Sequence, residues 1–441
     1  MINRLKSKLS KDANLKELLT GSAITFVLKI TGMALGYVVI YMISRKNGAE
    51  GVGYYSLINQ LLLLLGVVAT LGMNVSVLRY VGQYNNPTDA PQMWNLYARI
   101  LSMVIPVSIV LGLLVFLSSE QIAYFIFKNI DYAQAIEITG IALPFFALNR
   151  VGVEFIRGLK KLKISEFIRS VLRPIIVAVC LLIYWTEKIP NVYIIYFFVL
   201  GVVINSLLSN GAIWIHLLKI ESPKKRLLSS SELLKVSSPM MVTAISSTLM
   251  ATVSLFLIEY FSTTDKVGIY SVAFRISQLI AIVLVVVNTI AAPKFSELFW
   301  AKKTDELQKV IRQSAKMMFW AALFLSIAVI VSSKWVLAIF GDDFASGQLT
   351  LIVLVIGQLV NAATGSVGLF LNMSGNQKIL RNTALISLAI QCIIAVILIP
   401  LMGILGAAIA STVAGSLWNL MCVLYVSKRL NLKTYYIPLI N

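Results

Sequence analysis

Residues 20–44 read TGSAITFVLKITGMALGYVVIYMIS, and Lys29 is their only charge. As a helix at 1.5 Å per residue, this stretch is about 37 Å long, enough to cross the roughly 30 Å hydrocarbon core of a bilayer. Residues 268–292 read GIYSVAFRISQLIAIVLVVVNTIAA, again with a single charge, Arg275. Each cation falls roughly 10–14 Å from the nearer end of its run. A fixed charge at that depth costs several kcal/mol, so it faces a bundle interior or a wetted cavity; the alternative is a side chain snorkelling to a headgroup. Two such cations predict a membrane protein that handles an anionic cargo.

The rest of the chain has the same character. Hydrophobic residues make up 58% of the 441 positions and charged residues only 13%, about half the share in a soluble domain. Apolar runs long enough to cross recur near 20–44, 53–78, 95–117, 135–156, 165–185, 192–217, 238–260, 268–292, 314–333, 348–373, 381–400 and 404–426. The fold class predicted is therefore an all-α integral membrane protein with twelve transmembrane helices. The first run is too long for the apolar part of a signal peptide and reads as a retained anchor.

Charge alternates from one connection to the next. One set carries Arg4, Lys6, Lys8, Lys11 and Lys16, then Arg157 and Lys160–Lys163, Lys224–Arg226, Lys302, Lys303 and Lys309, Lys378 and Arg381, and Lys428, Arg429 and Lys433. The other set holds only scattered cations such as Arg45, Lys128, Lys188 and Lys334. The positive-inside rule places the first set and both termini in the cytoplasm. This accounts for most of the net charge of +19 without nucleic acid, because the cations are spread over short loops beside spans.

Two stretches organise the chain into halves. Residues 219–236 are polar, with Ser229–Ser231 ahead of Glu232 as a helix start, and read as a linker between lobes at 1–218 and 237–441. Lys294–Lys316 reads as a charged helix along the membrane surface leading into the ninth span. A repeat supports the division: Val52-Gly53-Tyr54-Tyr55-Ser56 and Val267-Gly268-Ile269-Tyr270-Ser271 are 215 residues apart. Six spans per half relate the copies by an axis along the membrane normal.

Helical spacing marks candidate interior faces. Ser22, Thr25, Lys29, Gly32 and Gly36 form one stripe, Ser271, Arg275 and Gln278 a second, and Gln358, Asn361, Gly365, Gly368 and Asn372 a third. Such stripes serve close packing or a wetted wall. Lys29, Arg275, Arg150, Gln278 and Asn361 are the candidate substrate contacts. Arg150 lies four residues before Glu154, so pairing on one helix face competes with substrate contact. Glu154 and Glu259 are candidate coupling-ion groups, although Glu259 at the outer end of its span also fits a solvated carboxylate. Pro106 and Pro144 fall inside spans, where kinks ease bending.

Enzyme chemistry finds no support. There is no phosphate-binding glycine loop, nucleophile elbow or metal-ligand cluster; His216 is the only histidine. Cys180, Cys392 and Cys422 lie in apolar runs without metal or redox spacing. No cofactor or metal is expected.

The chain resembles the polysaccharide or oligosaccharide flippases of the MOP exporter superfamily, which also holds MATE exporters and lipid II flippases. The resemblance rests on Gly48-Ala49-Glu50-Gly51-Val52-Gly53-Tyr54-Tyr55-Ser56, Asp265-Lys266-Val267-Gly268-Ile269-Tyr270-Ser271, Phe340-Gly341 with Phe344, Asn372-Met373-Ser374-Gly375-Asn376, and Ile399-Pro400-Leu401-Met402-Gly403-Ile404-Leu405-Gly406. It implies two six-helix lobes alternating between inward-open and outward-open forms in the bacterial inner membrane. It also implies an undecaprenyl-pyrophosphate-linked oligosaccharide as cargo, membrane lipids as surroundings, and polysaccharide polymerase and glycosyltransferases as partners. Lys29 and Arg275 fall on the spans where lipid II flippases carry cavity cations. Relatives often carry an acidic residue in the seventh span where Ser254 stands here, which puts a carried-over sodium or proton site in doubt. A MATE-type cation-coupled drug antiporter is the alternative, and a non-transporting scaffold is a third reading.

Overall fold

The computed structural model describes residues 13–84, 90–187, 189–220, 229–436 and 438. Arg4, Lys6, Lys8, Lys11, Lys188, Lys224, Lys225 and Arg226 lie outside the described residues, as do positions 221–228 of the expected linker. Among the described residues every regular element is a helix, and ten helices are long and apolar enough to cross a membrane.

Two features turn those ten helices into twelve crossings. Ile24–Ala69 runs for 46 residues, about 69 Å at 1.5 Å per residue, or twice a bilayer core. It is kinked at Gly48, whose φ of 68° and ψ of −163° suit only glycine. One residue thus separates the first span from the second, where a longer polar loop was expected. The fifth crossing is assembled from Leu162–Glu166, a widened turn at Phe167–Leu172 and Arg173–Ile183, none of which is long enough alone. Pro174 has no N–H to offer the preceding turn, and the widened π turn lies directly before it. The chain is an all-α multi-pass membrane protein of twelve helices in two lobes. Apolar side chains lie on its outside: on the third span Val110, Leu113 and Leu117 are 57%, 54% and 66% exposed, a surface suited to acyl chains rather than water.

The helices cluster into two compact units. The first contains the described part of Met1–Met42 with Leu61–Ile122 and Asp131–Met241. Its spans approach at small residues. An added Cβ on Gly112 would come within 2.4 Å of the Gly140 carbonyl oxygen, and one on Gly140 within 2.6 Å of that of Gly112, so the third and fourth spans touch backbone to backbone. Gly32 packs on Ser170 of the fifth span, whereas Gly36 has open space and Lys29 is exposed. The first-span stripe therefore serves packing at Gly32 and openness on either side of it.

The second unit contains Ile43–Gln60, Ala123–Ile130 and Val242–Asn441. The two copies of the repeated motif meet within it. A Cβ on Gly53 would lie 2.0 Å from the Thr264 carbonyl oxygen, and one on Gly268 would lie 1.9 Å from that of Ala49. The Ser56 hydroxyl donates to the Ser271 hydroxyl at 3.1 Å. Residues equivalent by the repeat are thus each other's packing partners.

Two expectations fail here. The eighth span continues as one helix, Thr264–Trp300, turns at 301–303, and Thr304–Ala338 follows. The Lys294–Lys316 segment is therefore the ends of two long helices and not a surface helix; Lys302, with φ of 57°, reverses the chain. The tenth-span stripe is also interrupted, because the helix stops at Ala363 and restarts at Val367 around Gly365, with φ of 68°. Gln358 and Asn361 thus sit on a different helix from Gly368 and Asn372. The predicted helix start near Ser229 is present: the helix Ser230–Phe261 opens on a reciprocal cap, with the Ser229 N–H donating to Glu232 Oε2 at 3.3 Å and the Ser231 N–H to Ser229 Oγ at 3.3 Å.

Candidate functional site

Inside the first unit, the second, fourth, fifth and sixth spans and the short helix Met73–Gln83 surround a cavity of about 230 Å³. Its charged lining is Arg150, Glu154, Arg169 and Arg173, with Asn74, Asn149 and Asn205 as neutral polar groups. Each arginine is positioned by its neighbours. On the fourth span Arg150 follows Phe146 by four residues, and its guanidinium carbon lies 5.8 Å from that ring. Gly66 of the second span makes room for the same ring, since a Cβ there would fall 2.4 Å from it. Arg169 projects from the widened turn of the fifth span, and Arg173 follows one turn later. Arg173 lies 5.0 Å above the Phe198 ring of the sixth span, and Gly201 one turn on leaves room for its stem.

The charges are partly compensated. Arg169 Nη2 donates to Glu154 Oε1 at 2.6 Å, and Arg157 Nη1 lies 3.6 Å from Glu154 Oε2. The expected pairing of Glu154 with Arg150 is not formed: Arg169 from the fifth span and Arg157 from the next turn of the fourth hold the carboxylate instead. Glu166 lies 3.9 Å from Arg169 Nε and accepts from the Ser170 hydroxyl at 2.6 Å. Several buried polar atoms of the lining have no hydrogen-bond partner among the described residues: Arg150 Nε, Arg169 Nε, Glu154 Oε2 and Asn205 Oδ1. Such atoms each carry a desolvation cost, which a polar guest would offset.

The other sequence candidates lie apart from this cavity. Lys29 is exposed and has no hydrogen bond or ion pair among the described residues. Arg275 is half-buried on the eighth span and engaged with neighbours; Gln278 is half-buried one turn on. Asn361 accepts from Asn419 Nδ2 at 3.0 Å and donates to Gln358 Oε1 at 3.5 Å. Glu259 is buried, 5% exposed, and accepts from the Thr264 hydroxyl at 2.8 Å; it is not a solvated carboxylate, because the start of the eighth span covers it.

Ser254 lies in a neutral cluster of the second unit. Its hydroxyl is 2.9 Å from that of Ser411, which is 3.0 Å from the Tyr270 hydroxyl. Gln391 Nε2 donates to the Met250 carbonyl at 3.0 Å and to Ser254 Oγ at 3.2 Å. Sequence reading missed Arg169 and Arg173. Their i, i+4 spacing inside the predicted 165–185 run, followed at once by Pro174, was the signal available.

Comparison with known proteins sets this geometry in a family. A family model described as "Polysaccharide biosynthesis protein" matches residues 18–299, and one described as "MatE" matches residues 239–414. The probable low-salt glycan biosynthesis flippase Agl15 of Haloferax volcanii is 22% identical over 418 residues, covering 93% of this chain and 84% of that protein. Among solved structures, a lipid II flippase MurJ superposes with a TM-score of 0.76 at 15% identity over 93% of this chain and 88% of its own. A multidrug resistance MATE family transporter of the MOP superfamily gives 0.75 at 14% identity, over 94% and 98%.

Proposed function

The chain belongs to the polysaccharide biosynthesis protein family, and on that premise we propose that it is a flippase for lipid-linked oligosaccharide. Its cargo in this reading is a glycan on undecaprenyl diphosphate, moved from the cytoplasmic to the outer leaflet by alternating access. The observation that carries the reading is the cavity lined by Arg150, Arg169 and Arg173 between the fourth, fifth and sixth spans, in a chain whose first and eighth spans also hold Lys29 and Arg275. A diphosphate cannot enter hydrocarbon unaided, and guanidinium groups in a medium of low dielectric bind phosphate oxygens strongly. The name of the Haloferax relative, a glycan biosynthesis flippase, supports the same cargo class.

Lys29, Arg275 and Arg150 are the proposed headgroup contacts, with Gln278 and Asn361 as polar contacts to the sugars. Glu154 and Glu259 are the proposed coupling carboxylates, and 1–218 and 237–441 the proposed moving lobes. Glycosyltransferases and a polymerase are the proposed partners, and the bacterial inner membrane the proposed site, with both termini cytoplasmic.

The test is genetic. In cells that depend on this protein for surface polysaccharide, Lys29→Ala and Arg275→Ala together should abolish the polymer while the protein still accumulates. Normal polymer from the double variant would refute the proposal. The MatE match over 239–414 is the observation that favours a drug antiporter, and efflux of organic cations by this protein would support it. A cationic drug would meet positive charge in the first unit, which disfavours that cargo.

A further inference from the structure

We infer that the second unit carries a binding surface for anionic phospholipid headgroups on the helix Thr304–Ala338, built from Lys309, Arg312, Lys316 and the tail residue Lys433. The helix itself supplies the scale. At 35 residues it is about 52 Å long, longer than the roughly 40–45 Å of a whole bilayer. Its buried face is apolar, with Leu307, Ile311, Met318, Ala322 and Leu337. Its exposed face changes character along its length. Trp320, Phe324, Ile327, Val331 and Trp335 are 49%, 74%, 55%, 68% and 69% exposed and follow one another by three or four residues, so they share one stripe. Lys309, Arg312 and Lys316 continue that stripe toward the helix start and are also exposed. No charge falls between Lys316 and Lys334, a rise of about 27 Å that matches the hydrocarbon core. Lys316, Arg312 and Lys309 then stand about 1.5, 7.5 and 12 Å beyond Met317, in and just outside the headgroup layer.

Two further observations single out this face. None of the three side chains forms a hydrogen bond or ion pair among the described residues. Cations nearby are engaged: Lys303 with Glu306 at 3.2 Å and Lys294 with Glu297 at 2.9 Å. Asp305, four residues before Lys309, is the carboxylate on the same face, so positive charge prevails. The tail adds a fourth cation by tertiary contact. Gln308 holds the Lys433 backbone from both sides: its Nε2 donates to the Lys433 carbonyl at 2.9 Å, and its Oε1 accepts from the Lys433 N–H at 2.8 Å. The Tyr436 N–H, donating to the Ala363 carbonyl at 2.8 Å, pins the same segment three residues on. Lys433, whose side chain is exposed, is thereby fastened beside the turn of Lys309 and Arg312. Topology selection asks only for cations near a span end. It does not require them to lie unpaired in line with lipid-facing side chains, with another cation fixed next to them. A phospholipid anion fits the combination, its phosphate at the cations and its acyl chains along Trp320 and Phe324. A soluble polyanion would leave the apolar continuation of the stripe unused. The inference goes beyond the flippase reading and is independent of the cargo.

Native mass spectrometry of the full-length protein, titrated in micelles with phosphatidylglycerol or with phosphatidylcholine of the same acyl chains, tests it. Wild type should bind phosphatidylglycerol saturably and more tightly than phosphatidylcholine. Lys309→Gln, Arg312→Gln and Lys316→Gln combined should weaken phosphatidylglycerol binding by about tenfold or more, since one engaged cation is worth about fivefold. Phosphatidylcholine binding should not change. Lys433→Gln alone keeps the backbone bonds to Gln308 and should weaken phosphatidylglycerol binding by about fivefold. The control combines Lys378→Gln, Lys428→Gln and Arg429→Gln, three cations of the same unit off the stripe, and should weaken it by less than about twofold. Every substituted side chain is exposed, and matching thermal midpoints would show that each variant folds. Equal affinity of wild type for the two lipids, or equal weakening by the stripe and control variants, would overturn the inference. Unchanged binding by Lys433→Gln would overturn the four-cation site.

Discussion

In the first unit, the polar groups between spans four, five and six include four ions, Arg150, Glu154, Arg169 and Arg173, around a cavity they share with Asn149 and Asn205. In the second unit, the corresponding polar groups between spans seven, eight, eleven and twelve are neutral: Ser254, Tyr270, Gln391 and Ser411, bonded to one another at 2.9–3.3 Å. The neutral cluster satisfies itself and leaves no net charge to balance. The charged cluster has more arginines than carboxylates in its lining and leaves two donors, Arg150 Nε and Arg169 Nε, and two acceptors, Glu154 Oε2 and Asn205 Oδ1, without hydrogen bonds among the described residues. The same membrane environment thus tolerates both arrangements for different reasons. A closed hydroxyl–amide network costs little, whereas an incompletely balanced ionic one is retained where an external partner completes it.

The largest effect should come from breaking the ionic cluster. Arg169→Leu removes the shorter of the two ion pairs of Glu154, leaving Arg157 at 3.6 Å, and should destabilise the protein by about 2–4 kcal/mol, less than for a wholly buried pair because Arg169 is partly exposed. A lowered thermal midpoint in detergent would report it. Adding Glu154→Gln should restore at least half of the loss, and no restoration would mean that the pair is not the cause.

Next comes the backbone contact of the second unit. Gly53→Ala places a Cβ 2.0 Å from the Thr264 carbonyl and should cost about 1–3 kcal/mol as overpacking, visible in the same melt. An unchanged midpoint would show that the motif copies are not tightly packed. Ser411→Ala removes the hub of the neutral cluster and should cost about 1–2 kcal/mol through orphaned hydroxyls. Flipping by this variant should stay near wild type, because no charge is altered; a transport loss as severe as that of Arg150→Gln would erase the contrast between the two clusters. Smallest is Ser229→Ala, which removes a helix cap outside both clusters and should cost about 0.5–1 kcal/mol. A hydrogen-exchange change confined to the start of Ser230–Phe261 would confirm that it is local.

The contrast also explains how far the sequence could be read. Lys29, Arg275 and Arg150 stand out because each interrupts a long apolar run, and membrane cost makes such interruptions informative. Arg169 and Arg173 sit closer to the lysine-rich end of the fifth span, where cations pass as topology signals. Pro174 and the widened turn that bring them together belong to tertiary geometry. Glu154 illustrates the same limit. Sequence offers Arg150 as its partner four residues away, but the fold supplies Arg169 from another span in better hydrogen-bond geometry. The twelve crossings followed from apolar length alone, whereas the one-residue turn at Gly48 and the break at Gly365 depend on backbone conformations that spacing does not encode.

The most direct test is flipping in proteoliposomes that contain the protein and a polyprenyl-diphosphate-linked oligosaccharide, with the outer-leaflet glycan read by an added sugar-modifying enzyme. Wild type should expose the glycan well beyond the half initially outside. Vesicles with Lys29→Ala, Arg275→Ala and Arg150→Gln combined should stay at the level of protein-free vesicles. Equal exposure from wild-type, triple-variant and empty vesicles would contradict the claim that membrane-embedded cations carry an anionic lipid-linked glycan across.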